Sequence, residues 1–271
     1  MGGRLIRWFK SAAGKISIIL LIASIIMLLM IVWSPYAVFG EETASKIDNG
    51  LFGLSTNLLG IIVTVSFVQY FIDKQDEQEE KAAEIATIKR YDRFMTVLID
   101  RYIMFYNSVI TPIEKRMNYN PLEVRNEFSF EDMHDMYKQS LYMCEGIYEP
   151  SIVLFYNAEE KLRNYMIEMV QKIEFKYNEP LKDIIMGFVE QSIEFDMRGA
   201  ILGNMHIKSG SKKLSEVAEE YIKDLPCDWV NMKQKGELNG NIMMPYVILY
   251  DLLIFEINLI IKYRDYIRDM K

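Results

Sequence analysis

Residues 16–40 and 50–72 contain no Asp, Glu, Lys, Arg or His. At about 1.5 Å per residue, each run is long enough to cross a ~30 Å hydrocarbon core as a helix. The pattern predicts transmembrane helices over 16–39 and 51–72, joined by a short external loop, 40–50. A dense charged stretch, DKQDEQEEKAAE, follows at residues 73–84 without Gly or Pro. Its strong helix formers predict a solvated helical stalk. Beyond it Ile88, Tyr91, Met95, Leu98, Tyr102, Phe105 and Val109 alternate steps of three and four, a heptad-like seam within a stalk segment spanning 73–110. Tyr and Phe are bulky for a tight dimeric coiled coil. The seam is therefore expected to dock on the protein's own bundle, with a parallel coiled coil between protomers as the alternative.

The remainder, 111–271, reads as helix after helix. Pro112 stops the stalk helix, and the stretch from Asn118 to Asn126, with Pro121, is a connector. Ser129 is placed to cap a helix running to about Glu145, and Pro150 and Ser151 open one to about Tyr177. Asn178 and Pro180 begin another through about His206. Lys208 to Lys213 is a turn rich in Gly and Ser, Leu214 to Leu225 a shorter helix, and Pro226 to Asn241 an irregular connection. No sustained period-2 strand pattern occurs. The expected fold is all-α: an N-terminal two-helix transmembrane hairpin followed by an α-helical cytoplasmic bundle of about six helices.

The last apolar stretch, Ile242 to Ile261, has the length of a third span but contains Pro245, Asp251, Glu256 and Asn258. A charge at helix centre costs about 2.5–3.5 kcal/mol on the insertion scale. A third span would also carry Lys262, Arg264, Arg268 and Lys271 outside. The segment is expected to be the central helix of the bundle, with Asp251 and Glu256 needing partners or solvent at its edge.

The flanks of the first two runs set orientation. Segment 1–15 carries Arg4, Arg7, Lys10 and Lys15 and no acid; the loop carries Glu41, Glu42, Asp48 and only Lys46; Lys74, Lys81, Lys89, Arg90 and Arg93 follow the second run. The positive-inside rule puts both ends in the cytoplasm. Trp8, Phe9, Trp33, Tyr36, Tyr70 and Phe71 fall at the membrane edges as an aromatic belt. A cleaved signal peptide is disfavoured, because the apolar run is long and lacks a small-x-small ending. Ile6 stands where a myristoylation pattern wants Ser or Thr.

Each run also carries a stripe of small or weakly polar residues: Ala13, Ser17 and Ser24 in the first, Gly53, Asn57, Gly60 and Thr64 in the second. Such stripes let helix backbones approach. They pack the two helices into a hairpin, or they also build a homo-oligomer in which Asn57, Thr64 and Gln69 face a shared interior. No ionisable residue lies in either run, which argues against a dedicated ion or proton pathway.

Of the formal charge of −7, the N-terminal segment contributes +4 and the loop −2, so residues 51–271 carry −9. An acidic domain is a poor nucleic-acid binder, because phosphate contacts need clustered Lys and Arg. The expected partners are the lipid bilayer, further copies of the chain and a cytoplasmic protein. Cys144 and Cys227 have no CxxC spacing and are expected as unpaired thiols. No cofactor or metal is expected. Glu131 to His134 is half of a di-iron ExxH pair, but Gly203 stands three residues before the only other histidine, His206. There is no P-loop, GxGxxG, GxSxG, HExxH or EF-hand loop.

Arg198 and His206 resemble the Arg-x4-6-His motif of HEPN ribonucleases, all-α domains in which the histidine serves acid-base cleavage and the arginine steadies phosphate. Here seven residues separate the two, and Gly199 replaces the usual polar residue. The alternative is a surface ion pair for Arg198, with His206 in the last turn of its helix complementing the macrodipole. In architecture the chain resembles bacterial two-span proteins of the abortive-infection and phage-defence type. The resemblance rests on Gly50, Leu51, Phe52, Gly53 and Leu54, on Val68, Gln69, Tyr70 and Phe71, and on the acidic helical continuation 74–84. It implies an inner-membrane effector or sensor that damages or depolarises the membrane. The expectation is a non-enzymatic membrane protein acting through an oligomerising hairpin. A passive anchor for a partner protein is the first alternative, and a membrane-tethered HEPN-like ribonuclease the second.

Overall fold

A computed structural model describes residues 12–36, 38, 40–142, 146, 148–224 and 228–270. The basic residues Arg4, Arg7 and Lys10, the aromatics Trp8 and Phe9, the side chain of Ala13, and Cys144, Glu145 and Cys227 lie outside what it describes. The chain divides into two compact units, with the boundary between Ala82 and Ala83.

In the first unit, helix α1 covers Ala12–Trp33 and helix α2 begins at Glu41. The first helix stops six residues short of the expected 39. Pro35 has no N–H to extend the ladder and disfavours helical geometry in the residue before it. Ser34 accordingly turns to a positive φ of 40°. Its N–H still reaches Met30 O at 2.9 Å and its hydroxyl donates to Ile31 O at 2.8 Å, so the helix end is satisfied.

All of the expected loop 40–50 except Gly40 is helical. Glu41 and Glu42 occupy the first turn of α2, where negative charge complements the helix dipole. Lys46 pairs with Glu42 one turn on at 2.8 Å. The connection is thus only residues 34–40. Tyr36 is folded into it, its hydroxyl within hydrogen-bond reach of both Met30 O and the Asp48 carboxylate. Helix α2 then runs without interruption from Glu41 to Val109, 69 residues, so the expected second span and stalk are parts of one helix.

The second unit is built on the C-terminal part of α2. Helices α3 (Ser151–Lys172), α4 (Glu179–Glu194), α5 (Arg198–Gly203), α6 (Leu214–Asp224), α7 (Trp229–Gln234) and α8 (Met244–Asp269) complete it. The described residues are mostly helical, as an all-α reading requires. Two short antiparallel strands, Lys208–Ser209 and Lys212–Lys213, close the Gly and Ser rich turn around Gly210 at φ 65°.

Several elements differ from the sequence expectation: a short helix, α7, forms inside the Pro226–Asn241 connection expected to be irregular, the last helix runs on to Asp269, and three further boundaries move. After Ser129 there is only a 3₁₀ turn, Phe130–Asp135, capped reciprocally by Ser129 and Asp132. The chain then extends, because Ser140 N–H bonds Glu149 O and Ser151 N–H bonds Lys138 O, both at 3.0 Å. Helix α3 ends at Lys172 rather than Tyr177, ahead of Phe175 at φ 53°. The helix expected to reach His206 breaks after Glu194. There the Asp196 carboxylate takes the N–H of Arg198 at 2.9 Å and restarts the chain as α5.

The core gathers Tyr102, Phe105 and Tyr106 from α2, Phe155 from α3, Phe188 from α4, and Tyr246 and Tyr263 from α8, each no more than 1% exposed. Full burial of such side chains contributes about 1.5–3 kcal/mol apiece. Helix α8 is central, packing against α4, α5 and α7. Three helices are long and apolar enough to cross a membrane, and burial separates them. Half of the apolar window of α8 is inside the protein, against 11% for α1 and 6% for α2.

Candidate functional site

Helices α1 and α2 meet at a pair of serines. Ser24 and Ser55 are both buried, their hydroxyls 2.7 Å apart, and each also approaches the other's carbonyl at 3.3 Å. Ser17, seven residues before Ser24, is buried too. The less exposed positions of α2 around this contact, Gly53 and Ser66 apart, are Leu51, Ser55, Leu58, Ile62, Val65 and Gln69. They step by four and three along one helical face.

Gly53, Asn57, Gly60 and Thr64 lie about 140–200° round the helix from Ser55, at 3.6 residues per turn. Gly53 is partly exposed, and Asn57, Gly60 and Thr64 are exposed. Thr64 turns its hydroxyl back to Gly60 O at 2.9 Å. A Cβ built at Gly53 or Gly60 would meet nothing within 4 Å. The stripe of α1 therefore turns inward and the stripe of α2 turns away from it. The rest of both surfaces is apolar, with Ile19, Ile22, Ile26, Leu29, Phe67 and Phe71 exposed.

The seam of α2 is consumed inside the second unit. Ile88, Met95, Leu98, Tyr102, Phe105 and Val109 are buried in the core, and Tyr91 is partly buried beside Tyr165.

Arg198 and His206 are not brought together. None of the contacts of Arg198 is with His206, which is exposed beyond the end of α5. It is not in the last turn of a helix; its backbone N–H bonds Gly203 O at 2.9 Å. The Arg198 guanidinium bonds Glu159 at 2.7 Å and Glu160 at 2.8 Å, and lies 5.1 Å from the centre of the Tyr156 ring. His134 is held by its own turn, with Nδ1 2.8 Å from Glu131 O and Nε2 3.3 Å from Asp135. Among the described residues no group of three or more His, Cys, Asp or Glu is arranged to hold a metal.

Arg198 belongs to a buried charge cluster that the sequence reading missed. Glu159 of α3, 3% exposed, also pairs with Arg163 at 3.3 Å and accepts a short hydrogen bond from Ser192 of α4. Glu256 of α8 is fully buried and accepts from the Tyr102 hydroxyl at 2.7 Å. Asp251, the other acid of that helix, is paired with Lys233 of α7.

Burial pushes the Glu256 carboxyl well above the ordinary carboxylate range, and the negative charge of Glu159 adds to it. Burial raises Glu159 too, against the lowering effects of Ser192, Arg163 and Arg198. A signal for this cluster does exist in the sequence. Glu159 falls among the apolar positions Ile152, Phe155, Leu162 and Met166, and Glu256 among Leu253, Ile257 and Ile260. An acid on a core face needs a partner from elsewhere. No protein-family model, curated protein or solved structure matches the chain.

Proposed function

We propose that the chain is an oligomeric two-span protein of the bacterial inner membrane, with both ends cytoplasmic. In this reading its helical domain receives a signal or a protein partner and acts through the hairpin as a membrane effector of the phage-defence type. The observation that carries it is the contrast in burial. Helix α1 and residues 50–72 of α2 expose apolar side chains on nearly every side, while Ser24 and Ser55 bond each other and Thr56 and Thr64 bond their own backbone. Such a surface needs lipid around it. Helix α8, as apolar in length, has its contacts inside the bundle.

The outward stripe on α2 supports the oligomer. Gly53 and Gly60 leave room for a second helix to approach, and Asn57 can hydrogen-bond across the contact. Helix α2 contains residues of both units, and a change of packing around its seam is the event that would rearrange the stripe. A passive anchor for a partner protein is the competing reading. Expression together with the trigger is expected to admit an impermeant dye or depolarise the cell, and Gly60→Leu to abolish that leak with the helical domain still folded. A Cβ at that position meets nothing within 4 Å, so the substitution is tolerated within the chain and its effect on the leak would report contact between copies. No leak in the presence of the trigger overturns the effector reading. A leak unchanged in Gly60→Leu removes the stripe from the mechanism.

A further inference from the structure

Glu256 sits where α2, α3, α4, α5 and α8 converge on the charge cluster. Its Oε2 accepts from Tyr102, and its Oε1 has no hydrogen-bond partner among the described residues. The groups around it can be named element by element. Helix α2 presents Tyr102 and Tyr106; α3 presents Tyr156, Glu159 and Arg163; α4 presents the Ser192 hydroxyl. Arg198 comes from α5 and Asp196 from just before it, and on the α7 side Lys233 is taken by Asp251.

The two guanidiniums hold other groups. Arg163 bonds Glu159 and Ser192, and Arg198 spans Glu159 and Glu160, while its buried Nε has no hydrogen-bond partner among the described residues. Neither is bonded to Glu256, whose Oε1 is itself unpartnered among those residues. An uncharged carboxyl with one unmade hydrogen bond costs far less than an unpaired buried anion.

We propose that Glu256 is held as the neutral acid beside an ionised Glu159, and that loss of its proton is a release for α8, making the helical domain a proton-controlled latch. The step is an ionisation: the carboxyl O–H breaks, the proton passes to solvent, and the anion gains water as α8 loosens from Tyr102. This inference does not depend on the membrane reading.

The direction of the pH effect follows from the environment. Burial and the Glu159 charge raise the folded-state value of Glu256, so at low pH the group is protonated in both folded and unfolded chains and there is no penalty. As pH rises above the unfolded value of about 4.3, folding takes up a proton and the domain weakens. The unfolding constant should grow roughly tenfold per pH unit until the folded value is reached.

Hydrogen exchange of the full chain in neutral detergent, corrected for intrinsic rates, reads this directly. Above the unfolded glutamate range, opening of α8 in the unmodified chain is expected to rise with pH relative to Glu256→Gln, by roughly tenfold per unit until the folded-state value is reached and levelling off beyond it. Parallel profiles for the two proteins overturn the proposal. Infrared spectra of the unmodified chain give a second test that needs no folded variant. A neutral carboxylic-acid carbonyl band is expected at neutral pH, lost as pH is raised. Its absence at neutral pH overturns the latch.

Discussion

Replacing Arg198 by methionine is expected to destabilise the helical domain by about 3 kcal/mol, the lower end of the cost of breaking a buried ion pair, because Arg163 stays beside Glu159. The Glu159 side chain is only 4% exposed, and its shorter ion pair is the one to Arg198 at 2.7 Å, against 3.3 Å to Arg163. Methionine keeps much of the volume over the Tyr156 ring and removes the charge. Loss of the second ion pair, to Glu160, matters little, because that carboxylate is 47% exposed and solvent replaces the guanidinium. Urea unfolding of the full chain in detergent, followed by protease resistance of α3 to α5, measures the loss. The double variant Arg198→Met with Glu159→Gln should recover most of it, since the buried charge is gone. Equal instability of the single and double variants would mean that Arg198 acts through packing alone.

An arginine at Leu21, in the middle of α1, is expected to disfavour membrane insertion by about 3 kcal/mol. Leu21 is 42% exposed and lies among other exposed apolar residues of α1. The fraction of protein resisting alkaline extraction from membranes should fall accordingly. Phe255 of α8 is also 42% exposed, yet Phe255→Arg should leave that fraction unchanged. The two substitutions remove side chains of equal exposure from candidate spans of adequate length. Only their surroundings differ, so an equal effect of both would place α8 in lipid.

The parts of the architecture most legible in the chain are those that absence of charge defines. Residues 16–40 and 50–72 needed only a count of Asp, Glu, Lys, Arg and His, and Asp251 and Glu256 were enough to predict a bundle location for α8. The seam from Ile88 to Val109 was readable because charged residues, Lys89, Arg90, Asp92, Arg93, Asp100 and Arg101, stand between its positions as far as Tyr102.

Boundaries were harder, since they depend on single local contacts. Pro35 ends α1 although apolar residues continue to Phe39, and Glu41 and Glu42 start α2 inside what reads as a loop. The break at Asp196 depends on one carboxylate choosing a backbone N–H, which helical periodicity does not record. The stripe on α2 was visible, but its direction was not. Ser55, one step away in the same run, faces α1 and turns Asn57, Gly60 and Thr64 outward. The charge cluster was least legible of all, because Tyr102, Glu159, Ser192, Arg198 and Glu256 come from five helices and meet only once those are packed.

The central claim is that α1 and residues 50–72 of α2 cross the membrane as a hairpin while α8 stays in the cytoplasm. It is tested most directly by labelling single cysteines with a membrane-impermeant maleimide, with Cys144 and Cys227 replaced by serine. Ser45→Cys, near the start of α2, is predicted to react in intact cells, and Asp265→Cys, near the end of α8, only after the membrane is opened. Labelling of Asp265→Cys in intact cells, or protection of Ser45→Cys, would contradict it.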